Sequence, residues 1–343
     1  MRTVFARVAF AAASMLAVLL PPSPASAQGR DFFRGQTMTL FVGSSPGGAY
    51  DIYARLLARH YAKHIPGNPR LVVSNMDGAG SVRLSNYLYN AARKDGTMLG
   101  IPNRGAPFEP LLGETALARY DAVKYSWIGS PGDDVSVCVV SSRAGIATFE
   151  QLVAKPFTVG GTGAGADTNQ FPKVLNGVFG AKMQVVAGYP GGNDIDFALE
   201  RGEVDGRCGW SWSSLISTRK AWLDSNAIKV VVQLGFRKHP QLQNVPLIMD
   251  FAKTEEQRQI LRLIFARNVL GYPLIGPPGI PAERTAILRK GFEDTMKDPA
   301  FLADAKRSNL QIAPVAGAEL QRLIAEIYAT PKDVVAKTRA IVK

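Results

Sequence analysis

Beyond an apolar stretch near its start, the chain has no long hydrophobic run, so nothing later in it reads as a membrane span. It also lacks low-complexity tracts. Its 40 lysines and arginines outnumber 28 acids but are scattered, and no RNA- or DNA-binding motif accompanies them, so nucleic acid is not an expected partner. The basic balance leaves only a mild preference for anions. Cysteine is scarce: Cys138 and Cys208 allow one disulfide, and both lie in strand-like apolar surroundings where a buried free thiol is the alternative. Histidine is scarcer than its importance in catalysis would suggest, with three residues in 343. His60 and His64 stand four apart on one helix, but Tyr61-Ala62-Lys63 between them lacks the glutamate of the H-E-x-x-H zinc motif. They read as surface residues, and no metal or cofactor is expected.

The start of the chain reads as an export signal. Arg2 and Arg7 precede the apolar run from Val8 to Leu20, and Ala25-Ser26-Ala27 follows as an A-x-A cleavage site. The apolar run is shorter than the roughly 20 residues of a span. Residues 1–27 are therefore assigned to a cleaved signal peptide, no lipid-anchor cysteine follows it, and the mature chain is expected in the periplasm. About 300 remaining residues suggest two domains with real cores.

Strand and helix signals alternate through the mature chain, which predicts βαβ units and mostly parallel sheets. Strands are expected over Thr37–Val42, Arg70–Ser74, Met98–Ile101, Phe157–Gly160, Met183–Ala187, Val204–Cys208 and Lys229–Leu234. Helices are expected over Asp51–Lys63, Ser81–Ala92, Asp167–Phe179 and Asp194–Arg201, with four more after Phe236. Two short apolar runs between Tyr125 and Val140, split by Gly129-Ser130-Pro131-Gly132-Asp133-Asp134, predict a crossing between lobes. The run Lys229–Leu234 would cross back. This gives a first lobe of residues 28–132 and 234–343, and a second of 133–233. Two crossings allow hinge closure around a ligand.

Two glycine-rich loops each join a strand to a helix: Gly43-Ser44-Ser45-Pro46-Gly47-Gly48-Ala49-Tyr50-Asp51 and Gly160-Gly161-Thr162-Gly163-Ala164-Gly165-Ala166-Asp167. At such a junction the first-turn N–H groups have no intrahelical partner and form an anion site. Glycine lets a ligand approach the backbone, and Ser44, Ser45 and Thr162 add hydroxyl donors. The two loops are expected to face each other across a cleft and hold a small carboxylate.

Other readings of the same loops are weaker. Gly43-x-Ser45-x-Gly47 matches the nucleophile elbow of an exported serine hydrolase, with Ser45 attacking and His239 as base. The residue after that serine should donate an oxyanion-hole N–H, and Pro46 has none. Gly161-x-Gly163-x-x-Ala166 fits a dinucleotide fingerprint, but Val185-Val186-Ala187 stands where the ribose-binding acid should be.

The order of several short motifs resembles the receptors of tripartite tricarboxylate transporters, the Bug or TctC-like extracytoplasmic solute receptors. Pro46-Gly47-Gly48-x-x-Asp51 with Ala54-Arg55 is similar to that family's PGG-x-x-D-x-x-AR signature. Asn75-Met76-Asp77-Gly78-Ala79-Gly80 resembles its N-x-x-GAG loop, and Lys94-Asp95-Gly96-Thr97 its P-D-G-x-T turn. Tyr189-Pro190-Gly191-Gly192, Arg201-Gly202-Glu203-Val204-Asp205 and Gly276-Pro277-Pro278-Gly279-Ile280-Pro281 match later segments. The resemblance implies a periplasmic-binding-protein fold of type II, a Venus flytrap of two α/β lobes joined by two crossing segments, with no catalysis. It implies a monomer that carries a di- or tricarboxylate or an aromatic acid to one large and one small integral membrane subunit. A sensory protein that docks to a membrane kinase would share the same binding chemistry. Site residues implied by the resemblance are Ser44, Ser45, Pro46, Gly47, Gly48, Ala49 and Asp51 in the first loop, and Thr162, Gly163, Ala164, Gly165 and Asp167 in the second. Asn75, Gly78, Ala79 and Gly80 would support the rim, and Tyr189 would be a cleft aromatic. The chain departs from the family after the second-lobe Val-Asp strand. There Arg207 could pair with a carboxylate and Trp210 or Trp212 could stack on the ligand, or these residues could pack the lobe's core. Asn103 and Arg104, after the third strand, are second-tier candidates.

Overall fold

The computed structural model describes residues 31–113 and 116–343. The signal peptide assigned to residues 1–27 lies outside them. Among the described residues, eleven strands form two sheets. The first has the order β11-β4-β10-β3-β1-β2, built from β1 (Thr37–Val42), β2 (Arg70–Asn75), β3 (Met98–Ile101), β4 (Ser126–Ser130), β10 (Leu274–Gly276) and β11 (Val315–Ala316). The second has the order β7-β6-β8-β5-β9, built from β5 (Ser136–Ser141), β6 (Pro156–Gly161), β7 (Lys182–Ala187), β8 (Gly206–Ser211) and β9 (Ile228–Leu234).

The sheets are more mixed than the alternation predicts. β1 pairs parallel with β2 and β3, and β6 with β7 and β8, because helices link each strand of these two series to the next. β10 runs antiparallel to β3 and β4, and β5 antiparallel to β8 and β9. The physical reason lies in the crossings. β4 passes through residues 131–135 directly into β5 with no helix between them, so β5 enters the second sheet against the direction its βαβ units set.

Three helices matter most for the site. α1 (Ala49–His60) follows β1, and its buried stripe of Tyr53, Ala54, Leu56 and Leu57 packs on the first sheet. A short helix, α2 (Val82–Asn90), links β2 to β3, and two more short helices, α3 (Glu109–Leu112) and α4 (Phe149–Ala154), precede β6. α5 (Asp167–Phe179) follows β6 and ends at Gly180, whose φ of 73° supplies the left-handed C-cap. α6 (Gly192–Arg201) follows β7. α7 (Trp212–Asp224) follows β8, and the sequence reading misses it because its face is only weakly amphipathic and it breaks at Arg219 (φ −139°). The chain then runs through α8 (Glu255–Phe265), α9 (Ala282–Lys297), α10 (Pro299–Arg307), α11 (Gly317–Tyr328) and α12 (Lys332–Val342).

The lobes are joined by more than their crossings. After β9 the chain stays against the second lobe: Gln233 N–H donates to Pro246 O, and the Phe251 ring lies tilted against that of Phe149 with centroids 4.1 Å apart. α12 packs on both α5 and α8, and Lys173 Nζ donates to the carbonyl of Val342 at 2.9 Å. A single apolar cluster runs from Leu84 and Trp127 of the first lobe to Val140 and Phe171 of the second. His60 and His64 pair with Asp304 and Asp298, each at 3.0 Å, which ties α1 and the turn after it to the C-terminal helices. Cys138 and Cys208 are register partners on β5 and β8, fully buried and joined as a disulfide.

Candidate ligand-binding site

The first loop is held by its own acid. Asp51 accepts hydrogen bonds from Gly47 N–H (2.9 Å), Arg55 Nε (2.8 Å) and Asn75 Nδ2 (3.0 Å). Asn75 Nδ2 also donates to Ser44 O at 2.8 Å. Burial raises the Asp51 pKa, but these donors outweigh it and hold the carboxyl below its ordinary value. The motif Pro-Gly-Gly-x-x-Asp-x-x-Ala-Arg therefore has a mechanical content. The acid at the fourth place after Gly47 clamps the turn, and the arginine one helical turn later holds the acid. Gly47 takes a φ of +78°, which glycine adopts without strain.

A cavity of about 50 Å³ lies between the lobes. Of the residues singled out in the sequence, Ser44, Ala49, Gly80, Asn103, Thr162, Asp167 and Arg207 line it, so both glycine loops reach the same space. Ser45, Pro46, Gly47, Gly48, Asp51, Asn75, Gly78, Ala79, Gly163, Ala164, Gly165, Arg104, Tyr189 and Trp210 stand outside that lining. Trp210 is fully buried, its Nε1 donating to Ser214 Oγ at 3.2 Å, and it packs the second lobe's core. Tyr189 is half-buried against the same cluster. Tyr50, Thr168, Pro190, Gly191, Gly192, Ser211 and Ser214 line the cavity without having been singled out as site residues.

Both loops border the cavity, as the sequence reading expects, but the first loop's side-chain hydrogen bonds across the cleft do not go to the second loop. Instead the chain carries Pro-Gly-Gly twice, and the turns at Pro46-Gly47-Gly48 and Pro190-Gly191-Gly192 meet across the cleft. Ser45 Oγ donates to Asp194 Oδ2 at 2.8 Å, and Asn193 Nδ2 donates to Pro46 O at 3.3 Å. That repeat was the available sequence signal. The second loop lies against the Gly78-Ala79-Gly80 turn. A Cβ on Gly163 would stand 2.8 Å from Gly80 N, and one on Gly80 would stand 2.7 Å from Ala166 N. Gly163 and Gly80 have φ of +130° and +62°, so both conformation and space restrict these positions to glycine. Ser45 has an acid, not a histidine, as its partner, and His239 Nε2 lies at 3.3 Å from Gln311 Oε1.

Three helix N-termini converge on the cavity: α1 after Gly48, α5 after Ala166 and α6 after Gly191. None has a side-chain cap. Their first-turn N–H groups need partners, and each helix end carries about half a positive charge. An anion in the cavity satisfies both requirements. Asp167 also lines it, but its charge is engaged by Arg104 Nε at 2.6 Å and Arg267 Nη1 at 3.4 Å.

Arg104 is not at the surface and not on the cavity. It is 1% exposed and also donates to Asp134 O (3.1 Å) and Ser136 Oγ (2.5 Å). It ties the end of β3 to the second lobe and to the crossing. Asp134 itself accepts from Ser213, N–H and hydroxyl, and burial pushes its pKa up to about 6 although Arg104 opposes the shift. The folded protein therefore binds the Asp134 proton more tightly than the unfolded chain. The contribution to stability is fully present below the ordinary value of 3.8 and is lost as pH rises through about 6. Asp134→Asn is expected to remove that decline. Urea unfolding at pH 4.5 and 7.5 checks it: the wild type should lose stability relative to the variant at the higher pH, and parallel profiles would sink the assignment.

No family profile and no curated protein matches the chain. Solved structures do. The periplasmic binding protein BugD is 17% identical over 88% of this chain and 97% of its own, with a TM-score of 0.70. MatC from Rhodopseudomonas palustris, solved with bound malate, is 18% identical over 88% of this chain and 99% of its own, with a TM-score of 0.69. A TctC solute-binding protein from Polaromonas, solved without ligand, is 18% identical over 88% and 98%, with a TM-score of 0.58. Two mixed sheets, crossings between them and glycine loops around one interlobe cavity give this chain the type II periplasmic-binding-protein fold that it shares with BugD, MatC and TctC.

Proposed function

We propose that the chain is a periplasmic solute receptor that captures a small carboxylate between its lobes and hands it to a tripartite membrane transporter with one large and one small integral subunit. The observation that carries the reading is the convergence of three uncapped helix N-termini, from both lobes, on one cavity. Backbone donors and helix dipoles suit a carboxylate and require neither metal nor catalytic base. The bound malate of MatC is in keeping with this chemistry. The apolar run and A-x-A site at residues 8–27 support export, and among the described residues no helix is long and apolar enough to cross a membrane. Hydrolysis at Ser45 is disfavoured by its bond to Asp194 and by Pro46 after it.

Ligand-free protein should show a saturable rise in thermal stability with some member of an organic-acid panel. At 100 times the dissociation constant the gain is about 2.7 kcal/mol. Differential scanning fluorimetry reads it, and silence across mono-, di- and tricarboxylates would refute the receptor reading. Co-purification with the two membrane subunits, rather than with a kinase, separates transport from sensing.

A further inference from the structure

Strand β8 presents alternate residues to the interlobe cavity. Arg207, Gly209 and Ser211 line it, while Cys208 and Trp210 turn into the apolar cores. Ser211 stands at the carboxyl end of the strand and is 9% exposed. Its hydroxyl makes no hydrogen bond among the described residues, yet its oxygen is not closed off from solvent. On a side chain this buried, the open surface lies on the space that its strand face lines. The hydroxyl does not cap α7 either, and the N–H groups of Trp212 and Ser213 donate instead to Val135 O at 2.9 Å and to Asp134 Oδ2 at 3.2 Å. Ser214, in the first turn of α7, lines the same cavity. Its oxygen accepts from Trp210 Nε1 at 3.2 Å, and its own proton has no acceptor among the described residues.

The cavity wall therefore has two chemically different parts. Where α1 and α6 begin, the first-turn N–H groups have no side-chain cap, and a Cβ on Gly191 would stand 2.9 Å from Ser44 Oγ, so a hydroxyl and two helix ends share one place. That part suits a carboxylate. Where α7 begins, the donors are in use and the group that holds one of them is itself an acid, Asp134. A second carboxylate there would meet a like charge. A hydroxyl would not, and it can accept the Ser214 proton while donating to Ser211.

From the open, unpartnered Ser211 hydroxyl beside an acid-capped helix we infer that the receptor selects a hydroxy-monocarboxylate: the carboxylate lies where α1 and α6 begin, and Ser211 and Ser214 read the hydroxyl. The inference rests on the receptor reading and narrows it to a substrate class. Isothermal titration of ligand-free protein with three matched series tests it, each changing the group far from the carboxylate from apolar to hydroxyl to a second carboxylate. The series are propionate, 3-hydroxypropionate and malonate; butyrate, 4-hydroxybutyrate and succinate; and benzoate, 4-hydroxybenzoate and terephthalate. In the series bound most tightly, the hydroxy acid should exceed both companions at least 10-fold. Ser211→Ala should cut its advantage over the apolar acid at least 5-fold, by weakening the hydroxy acid rather than by strengthening its companion. Equal affinity within that series, or a di- or tricarboxylate bound more tightly than every hydroxy acid, overturns the inference and leaves the receptor reading standing. Silence across these acids and the wider organic-acid panel overturns the receptor reading itself. A hydroxyl preference that survives Ser211→Ala in folded protein overturns the role of Ser211. If Ser211→Ala does not fold, Ser211→Gly, which an N-cap position tolerates, carries the same test.

Discussion

Replacing Arg104 with methionine is expected to cost about 3–5 kcal/mol of folding stability, the usual penalty for removing one partner of a buried ion pair. Arg104 is 1% exposed, and the carboxylate it pairs with, Asp167, is 3% exposed. Without Arg104, Asp167 retains only the longer contact to Arg267, and the Asp134 carbonyl and Ser136 hydroxyl lose their donor. The wild-type pair is not itself a large net stabiliser, because taking both charges out of water costs several kcal/mol per ion. Asp167→Asn relieves the stranded carboxylate but removes the acid that the buried Arg267 contacts, so Arg104→Met with Asp167→Asn should lose less than the sum of the two single variants. Urea unfolding of the two single variants and the double variant gives the coupling. A single-variant loss below about 1 kcal/mol would mean the pair behaves like an exposed one.

Removing the disulfide is expected to cost about 4 kcal/mol. Cys138 and Cys208 are 70 residues apart in sequence, and cross-linking a loop of that length removes roughly this much chain entropy from the unfolded state. The bridge ties β5, the strand that enters the second sheet from the crossing, to β8, which carries Arg207. Two measurements bear on it. Maleimide labelling of denatured, unreduced protein should leave the mass unchanged, and two adducts would show that the thiols are free. Cys138→Ala with Cys208→Ala should then unfold at lower urea than the oxidised wild type.

Where local chemistry decides, the chain is legible. Strand β1 spans Thr37–Val42 and α5 spans Asp167–Phe179 as the sequence predicts, because an alternating apolar run, an acidic first turn and a C-terminal glycine are all local signals. Strand β8 is different. Its apolar signal ends at Cys208, yet the strand spans Gly206–Ser211 and lies between β6 and β5. Gly206 and Gly209 weaken its intrinsic preference, and pairing on both edges overrides it. The site shows the same division. The anion-binding character of Ser44, Thr162 and their glycines is visible from residue order alone, but Arg104 and Trp210 turn out to be buried structural residues that line no part of the cavity.

The sequence by itself determined the two glycine loops, their position between strand and helix, and the acid that clamps the first of them, since each depends on neighbours within a few residues. Only the tertiary structure decided which turn lies opposite which, that the two Pro-Gly-Gly turns meet, that Arg104 is locked to Asp167, and that Arg207 reaches the cavity. Those are contacts between residues tens to more than a hundred positions apart. They are fixed by how the lobes dock, and no local periodicity carries that information.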